Sequence, residues 1–273
     1  MNRPLPRVAV IGGSGLYRFF DSDAEQVRGV EVTTPYGRPS GAVRVGDLGG
    51  RPVAFLARHG EGHTLPPHRI DYRANLWALA SLGVRAVVTT AAVGGLSEHA
   101  TPGRFAVPDQ LIDRTHGRPD TFFDGRGLPV QHLPAADPYC PELRSLALDA
   151  LARIGEQPLS PATSVVIQGP RFSTAAESAW FRSAGADLVN MTQYPEAVLA
   201  AELNVGLVNL AFITDRDAGS GPDTADASLV LARMAAAAPR ILAAVRAVVA
   251  AVPEDYAPRE LIDPAAVAKV LAA

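Results

Sequence analysis

Residues 169–178, GPRFSTAAES, followed at 185–192 by GADLVNMT, form the stretch of sequence that decides the fold. The first segment ends an apolar run with a Gly-Pro turn and an arginine and then begins a helix, and the second is a strand that ends on Met-Thr. In α/β proteins, ligand pockets form where successive strands end. The sequence therefore predicts a binding pocket in this region.

The composition is that of an ordinary globular chain. Its 273 residues are 48% hydrophobic, which is enough for one buried core. A net charge of -3 gives no basic field for nucleic acid. The single cysteine, Cys140, excludes an internal disulfide framework and a cysteine-based zinc site and fits a cytoplasmic protein. The most apolar stretch, within 234–252, contains a proline and two arginines, so we expect no membrane span.

Runs rich in β-branched residues alternate with helical patterns along the chain. We predict a single α/β domain over residues 1–273, with a central mixed, largely parallel β-sheet flanked by helices. The predicted strands are 8–11, 42–45, 53–57, 86–90, 105–107, 164–168, 188–191 and 205–214. The predicted helices are 69–82, 142–154, 174–183, 196–203, 224–250 and 260–272. Residues 113–140 show little regular pattern, and a connection of that length usually has a functional or interface role.

Two segments that follow predicted strands carry groups suited to an anion. In 11–16, IGGSGL, glycines let the backbone curl so that its N–H groups and the Ser14 hydroxyl can bind an anion, although an ordinary tight turn is the alternative. In 56–60, LARHG, Arg58 offers a planar fork for phosphate and His59 can donate an N–H to the same anion. A solvated surface pair is the alternative for these two side chains.

Small residues follow another strand at 89–95, TTAAVGG. They predict a turn at which a flat ring and an anion can approach the main chain, with a glycine-rich turn that binds nothing as the alternative. Phe172 has a face that can stack on a flat ring, whereas Met191 taken alone fits plain core packing. We interpret Glu177 and Glu196 as helix-start or interior ion-pair residues rather than catalysts.

The apolar strand at 205–214 leads into Asp215-Arg216-Asp217. Side chains alternate along a strand, so the two carboxyls are expected to point the same way. Two carboxyls in a closed site leave one of them protonated near neutral pH. A protonated carboxyl can donate to a ring nitrogen of a ligand, and a carboxylate can accept from an amino group. The alternative is a pair of solvated loop acids.

Together, these motifs, in this order from about residue 8 to about residue 217, resemble the trimeric purine nucleoside phosphorylase superfamily, most closely its S-methyl-5'-thioadenosine phosphorylase branch. The resemblance implies a pentosyltransferase that uses inorganic phosphate to split S-methyl-5'-thioadenosine into adenine and 5-methylthioribose 1-phosphate. It also implies a cytoplasmic homotrimer acting in purine salvage, with no metal, no organic cofactor, and neither a nucleic acid nor a membrane as partner.

The resemblance also assigns roles to individual residues. It implies a phosphate site made of Ser14, Arg58, His59, Thr192 and the backbone N–H of Ala92. It implies that Asp215 is the general acid and also contacts the base. The further substrate-binding residues that it implies are Val93, Gly94, Phe172, Ser173, Met191, Asp217 and His132. His132 would come from a neighbouring subunit and cover the 5' substituent, where Phe122 and Phe123 would complete the wall. The alternative is that these residues only fill the contact between subunits.

Several alternatives stay open. Ser173, Asp215 and Asp217 favour a 6-aminopurine, because at those positions the chain resembles the 6-aminopurine enzymes of the superfamily rather than the 6-oxopurine enzymes. The Gly94-Gly95 pair instead favours a purine nucleoside or S-methyl-5'-thioinosine phosphorylase. A nucleoside-binding regulatory module and a nucleosidase that uses water are further candidates. Residues 218–231 match the family poorly and leave open how strictly a 5'-methylthio group is required.

Overall fold

The computed structural model describes residues 5–13, 16, 20, 27–125, 127–219 and 226–273. Its strands are β1 Val8–Gly12, β2 Arg28–Val30, β3 Val43–Asp47, β4 Pro52–Ala57, β5 Ala86–Gly95, β6 Phe105–Ala106, β7 Gln110–Arg114, β8 Thr163–Ile167, β9 Leu188–Asn190 and β10 Gly206–Arg216. Its α-helices are α1 Tyr72–Ser81, α2 Pro141–Arg153, α3 Ala175–Ser183, α4 Gln193–Glu202, α5 Ala227–Ala251 and α6 Pro264–Leu271.

The described strands join into one sheet in the order β2-β3-β4-β1-β5-β9-β8-β7, with β10 paired to both β5 and β6. The pairs of β1 with β4 and β5, of β5 with β10, and of β8 with β7 and β9 are parallel. The other pairs are antiparallel. The predicted α/β class with a mixed, largely parallel sheet is confirmed.

Helices cover both faces of this sheet, and β1 shows how. Val8 and Val10 point into a core layer shared with α2 and α5, whereas Ala9 and Ile11 point into a layer shared with α1, α4 and α6. Successive side chains of a strand lie on opposite faces, so a strand buried on both sides is apolar throughout. This is why the central strands appear in the sequence as continuous apolar runs.

The sequence prediction is wrong for residues 89–95, which are not a turn. β5 continues through them, because it pairs in parallel with β10 as far as Gly95 and in antiparallel with β9 at Gly94 and Gly95. A Cβ placed on Gly95 would lie 2.0 Å from the carbonyl oxygen of Ala100. The glycine therefore permits close packing inside the sheet rather than a reversal of the chain.

The sequence analysis also missed both edge strands, β2 and β7. Their residues are exposed or only half-buried, so neither has the apolar run that identified the central strands. After β7 the chain continues to Pro141 with no helix or strand among its described residues, as expected for this long connection.

Helix α5 lies close to the predicted helix 224–250 but is more apolar than expected of a stretch interrupted by a proline and two arginines. Its 25 residues include an 18-residue window with a mean hydropathy of 1.6, so by length and composition the helix is able to cross a membrane. In the structure, Met234, Ile241 and Val245 on this helix are buried in the core layer that it forms with α2 and the sheet. Pro239 lies inside the helix without ending it.

Candidate active site

A cavity of about 490 Å³ lies at the C-terminal ends of six strands: β1, β4, β5, β8, β9 and β10. Ligands of α/β proteins bind at this edge of the sheet. Except for His132 and the proposed aromatic wall of Phe122 and Phe123, every predicted site residue that the structure describes lines this cavity. These residues are Arg58, His59, Ala92, Val93, Gly94, Phe172, Ser173, Met191, Thr192, Asp215 and Asp217. Ser14 lies outside the described residues, and its neighbour Gly13 lines the cavity.

Arg58 follows β4 and is almost completely buried. Its Nε and Nη2 donate to the two carboxylate oxygens of Glu196 at 2.6 and 2.7 Å, and its Nη1 donates to the carbonyl of Thr90 at 2.8 Å. The planar fork expected to face phosphate is therefore bound to Glu196. A guanidinium has five N–H donors, so two remain for an anion. The prediction of an interior ion pair for Glu196 is confirmed.

His59 is held by a backbone carbonyl at one end of its ring. Its Nδ1 lies 2.8 Å from the carbonyl oxygen of Leu65, and its ring stacks on that of His63 at 4.3 Å. Burial, followed by the adjacent Arg58 guanidinium, lowers the pKa of His59 to about 4, so the ring is neutral near pH 7. A carbonyl only accepts, so Nδ1 carries the proton and Nε2 accepts. Contact with phosphate then requires a proton on the phosphate oxygen or on Nε2.

Asn190 ends β9 and organises the wall beside Arg58. Its Oδ1 accepts from the backbone N–H groups of Thr192 and Gln193, both at 2.7 Å, and its Nδ2 donates to the carbonyl of Ala92 at 3.3 Å. These bonds link the predicted phosphate residues Ala92 and Thr192, which come from different strands. The sequence analysis did not single out Asn190, although a polar residue at the end of a buried strand was a usable signal.

Asp215 and Asp217 both line the cavity, as the alternation of side chains along the strand predicted, and each is at most 3% exposed. Oδ1 of Asp215 accepts from the Thr214 hydroxyl at 2.7 Å, and Oδ2 of Asp217 is hydrogen-bonded to the Ser178 hydroxyl. Gly94 packs between them, since a Cβ there would lie 3.4 Å from Asp215 Oδ2 and 3.3 Å from Asp217 Cβ. Both carboxyls thus belong to one enclosed site.

A register shift in β10 contributes to this arrangement. The pairing with β5 is irregular between Ile213 and Asp215, so Thr214 has no partner in the regular ladder. Thr214 and Asp215 both line the cavity although they are neighbours in sequence. Neighbouring residues of a regular strand point to opposite faces, and a bulge changes that alternation.

The loop after β8 brings Phe172 and Ser173 to the cavity. The Ser173 hydroxyl is buried and has no hydrogen-bond partner among the described residues. Met191 lines the cavity, contrary to its interpretation as plain core packing. Gly169, with a φ of 63°, makes room for it, because a Cβ there would lie 2.7 Å from the Met191 sulfur.

Glu177 has the helix-start role that the sequence predicted. It forms a capping box with Thr174 at the N-terminus of α3. Its two carboxylate oxygens each accept from Arg171 at 2.7 Å. This ion pair is exposed, unlike the pair between Arg58 and Glu196.

An apolar wall of the cavity was missed by the sequence analysis. The first turns of α5 form this wall with Ala227, Val230 and Leu231. They fall in the segment 218–231, of which residues 220–225 lie outside the description. The apolar pattern of a helix is the same whether its first residues face a pocket or only cover a core. The sequence of α5 therefore carries no signal that these residues line a ligand site.

The predicted aromatic wall is wrong. Phe122 and Phe123 are buried in the core layer that contains Trp77 and Tyr139, and neither lines the cavity. His132 is exposed and does not line the cavity of its own chain. Within the described ranges, no group of three or more histidine, cysteine, aspartate or glutamate side chains is placed to hold a metal ion.

Comparison with known proteins identifies the family. The family model of the phosphorylase superfamily matches residues 7–250. The S-methyl-5'-thioadenosine phosphorylase of Mycolicibacterium smegmatis is 55% identical over 212 residues, covering 78% of each chain. The purine nucleoside phosphorylase of Streptomyces coelicolor is 50% identical over 225 residues, covering 80% of this chain and 79% of that protein.

A solved structure agrees with this assignment. The crystal structure of a methylthioadenosine phosphorylase from an Antarctic soil metagenomic library superposes with a TM-score of 0.84 at 37% identity, covering 98% of this chain and 99% of the other. Sequence and fold thus match over most of this chain and most of each of these relatives. The chain belongs to the phosphorylase superfamily.

Proposed function

We propose that this protein catalyses the phosphorolysis of S-methyl-5'-thioadenosine to adenine and 5-methylthioribose 1-phosphate. The observation that carries the proposal is one cavity with two chemically distinct ends. We call Arg58, His59 and Thr192 the anion end, and Ser173, Asp215 and Asp217 the base end. The similarity to a mycobacterial S-methyl-5'-thioadenosine phosphorylase supports the same substrate.

At the anion end, phosphate would meet the remaining N–H groups of Arg58, the Thr192 hydroxyl and His59. The Glu196 carboxylate holds the guanidinium in place, so no reorganisation of Arg58 is needed when the anion arrives. Ser14 and the Ala92 N–H complete the proposed phosphate site. Holding phosphate next to C1' of the ribose turns a two-molecule encounter into a reaction within one complex.

Bond cleavage moves charge to both sides of the glycosidic bond. The C1'–N9 bond breaks, the ribose ring becomes positive, and the purine becomes negative. Phosphate stabilises the first charge and forms the new C1'–O bond on the opposite face. Asp215 neutralises the second charge by donating a proton to N7, so adenine leaves as a neutral molecule. Met191 would pack under the ribose, and Phe172 and Val93 along the nucleoside.

The base end favours an amino group at position 6 of the purine. Asp217 is a buried carboxyl beside Gly94, where it can accept from a 6-amino N–H. The Ser173 hydroxyl, which has no hydrogen-bond partner within the described ranges, is a second polar group available to the base. A buried site rejects a ligand that leaves its polar groups unpaired.

The apolar wall from α5 suits a thioether at the 5' position. Ala227, Val230 and Leu231 offer no hydrogen-bonding side chain to a 5'-hydroxyl, whereas they can pack against a methylthio group. We place His132 of one subunit over the 5' group bound by its neighbour, since this side chain is exposed and lies outside its own cavity. The protein would then act as a homotrimer in the cytoplasm, in purine salvage, with phosphate as co-substrate and without a metal or an organic cofactor.

A second candidate is a phosphorylase of 6-oxopurine nucleosides. The Gly94-Gly95 pair favours it, and the purine nucleoside phosphorylase of S. coelicolor is 50% identical. Asp217 opposes it as a carboxylate that accepts rather than donates, and Ser173 and Asp215 oppose it because they resemble the 6-aminopurine branch.

The test is an assay of the purified protein on S-methyl-5'-thioadenosine, S-methyl-5'-thioinosine, adenosine and inosine, each with and without phosphate. We expect S-methyl-5'-thioadenosine to have the highest kcat/KM and its cleavage to require phosphate. A preference for the two inosine substrates would establish the second candidate instead. Turnover without phosphate would indicate a nucleosidase, and binding without turnover a regulatory module.

A further inference from the structure

Ser178 is a fully buried hydroxyl of α3 that lies behind Asp217, on the side away from the cavity lining. Its Oγ is hydrogen-bonded to Asp217 Oδ2 and lies 3.0 Å from the carbonyl oxygen of Thr174. That carbonyl also accepts the backbone N–H of Ser178 at 2.9 Å. The Asp217 N–H in turn donates to the Gly95 carbonyl at 3.0 Å, so the backbone of Asp217 is fixed as well.

Counting protons shows what this contact does to the carboxyl. A hydroxyl has one proton to donate. When Asp217 is ionised, Ser178 donates that proton to Oδ2. When Asp217 is protonated on Oδ2, the carboxyl donates to Ser178, whose own proton turns to the Thr174 carbonyl. In both of these states Oδ2 is occupied by Ser178, and Oδ1 is left for a ligand with lone pairs only. With the proton on Oδ1 instead, Ser178 would have to donate to Oδ2 and would lose its contact with the Thr174 carbonyl, so a protonated carboxyl makes one hydrogen bond fewer within the protein in that arrangement.

The consequence concerns the two classes of purine. A 6-amino group offers N–H donors, which suit an oxygen that only accepts. A 6-oxo group offers an acceptor, which needs a donor from the protein. Without Ser178 this preference between the two oxygens is lost, and a carboxyl that carries its proton on the oxygen facing the cavity can donate to a 6-oxo group.

We propose that Ser178 is a specificity-determining positioning residue, which keeps Asp217 as an acceptor toward the base and thereby selects 6-aminopurines over 6-oxopurines. This role of Ser178 rests on the proposed function, because it assumes that the purine lies against Asp217. Ser178 does not contact the substrate itself and acts through the aspartate.

The experiment compares Ser178→Ala with Ser183→Ala. Ser183 is an exposed serine of the same helix whose hydroxyl donates to a backbone carbonyl, that of Trp180, at 2.7 Å. Both variants and the wild type are assayed for kcat/KM on S-methyl-5'-thioadenosine and S-methyl-5'-thioinosine. Binding of adenine and hypoxanthine is measured by calorimetry in the same three proteins.

In Ser178→Ala, the preference for the 6-amino over the 6-oxo ligand should fall about tenfold or more in both measurements, the size expected for a buried hydrogen bond that changes from donor to acceptor. The KM for phosphate and all properties of Ser183→Ala should stay as in the wild type. An unchanged preference, or an equal loss for both ligand classes, would overturn the proposal.

Two more variants show whether Ser178 acts through Asp217. In Asp217→Ala, the additional Ser178→Ala change should leave the preference unaltered within about twofold, because the carboxyl that Ser178 positions is already gone. If the two changes instead altered the preference independently, so that their effects multiplied in the double variant, the proposal would be contradicted. Ser178→Cys, which keeps a weak donor of similar size, should give a preference between those of wild type and Ser178→Ala, and a value outside that interval would count against it.

The outcomes separate this inference from the proposed function. A wild-type protein that cleaves no 6-aminopurine nucleoside would remove the proposed function. The ratio of adenine to hypoxanthine binding requires no turnover, and its response to Ser178→Ala decides the role of Ser178 independently.

Discussion

The anion end and the base end of the cavity hold their polar groups in different states. At the anion end, Arg58 is bound to Glu196, His59 to Leu65 and Thr192 to Asn190. At the base end, Asp215 and Asp217 are likewise bound, to the Thr214 and Ser178 hydroxyls, but the buried Ser173 hydroxyl has no partner among the described residues.

The difference separates two demands on the site. Groups that are held before the ligand arrives are preorganised for an anion and need no rearrangement. A buried hydroxyl without a partner costs the folded protein roughly 1–3 kcal/mol, and a ligand that hydrogen-bonds to it recovers that energy. The anion end thus contributes to stability, whereas the base end gives up stability for recognition of the purine.

The largest effect should come from the base end. Asp215→Ala removes the proposed general acid, so the rate of bond cleavage should fall roughly 10²–10⁴-fold, the usual contribution of a positioned acid. Single-turnover kinetics would measure it, with Asp149→Ala, an exposed aspartate of α2, as the control that keeps its rate. Unchanged cleavage in Asp215→Ala would exclude this residue from the mechanism.

The next effect should appear at the anion end as a loss of stability. Glu196→Ala leaves the Arg58 charge buried and unpaired, and the free energy of unfolding should fall by about 3–5 kcal/mol in urea denaturation. Arg171→Ala breaks an ion pair of the same bidentate geometry whose side chains are 66% and 32% exposed, and because water already screens this pair the loss of stability should be much smaller. Similar losses in both variants would show that burial does not distinguish the two pairs.

A third prediction uses pH to probe the anion end. The pKa of His59 is lowered from 6.5 to about 4, so the unfolded chain binds more protons than the folded one between these values. Stability from this residue is fully present above pH 6.5 and is lost as the pH falls toward 4, by up to about 3 kcal/mol in total. Burial lowers the pKa of His63 as well, which adds a change of the same sign.

Urea denaturation between pH 4 and pH 7 tests this dependence. His59→Gln should flatten the fall in stability, whereas His99→Gln, at an exposed position, should keep it. A wild-type stability that rises as the pH falls through this range would contradict the assigned neutral state of His59.

The smallest effect should come from Ser173. Ser173→Ala removes a buried hydroxyl without a partner, so the free energy of unfolding should stay equal or rise by about 1 kcal/mol, while adenine binding weakens roughly tenfold. Ser164→Ala is the matched control, because that hydroxyl is also buried without a partner among the described residues but does not line the cavity. It should raise stability similarly and leave adenine binding unchanged. A loss of stability in Ser173→Ala would show that its hydroxyl has a structural role.

The sequence predicted most of the cavity because buried parallel strands have a clear signature. Arg58, Thr192 and Asp215 each follow a continuous apolar run, and such strands all end at the same edge of the sheet. Their positions follow from local pattern and the topology of α/β proteins. The family resemblance added the roles, and those remain predictions.

The sequence did not predict features that depend on partners distant in the chain. Arg58 and Glu196 are 138 residues apart, so the interior ion pair was foreseen for Glu196 but its partner was not. Gly94 and Gly95 have turn-like composition, and only their pairing with β9 and β10 makes them part of a strand. Ser178 looks like any serine of an amphipathic helix until Asp217 is placed beside it.

The irregular step at Thr214 has an evolutionary consequence. One extra residue in β10 decides which way the following aspartates face, whereas the hydrophobic packing upstream of it, as far as Ile213, does not depend on it. A descendant that lost a single codon here would keep the fold but would lose the position of the two aspartates in the cavity. Insertions and deletions at this position, more than substitutions elsewhere, are thus an economical route by which relatives with this architecture could diverge into binding proteins.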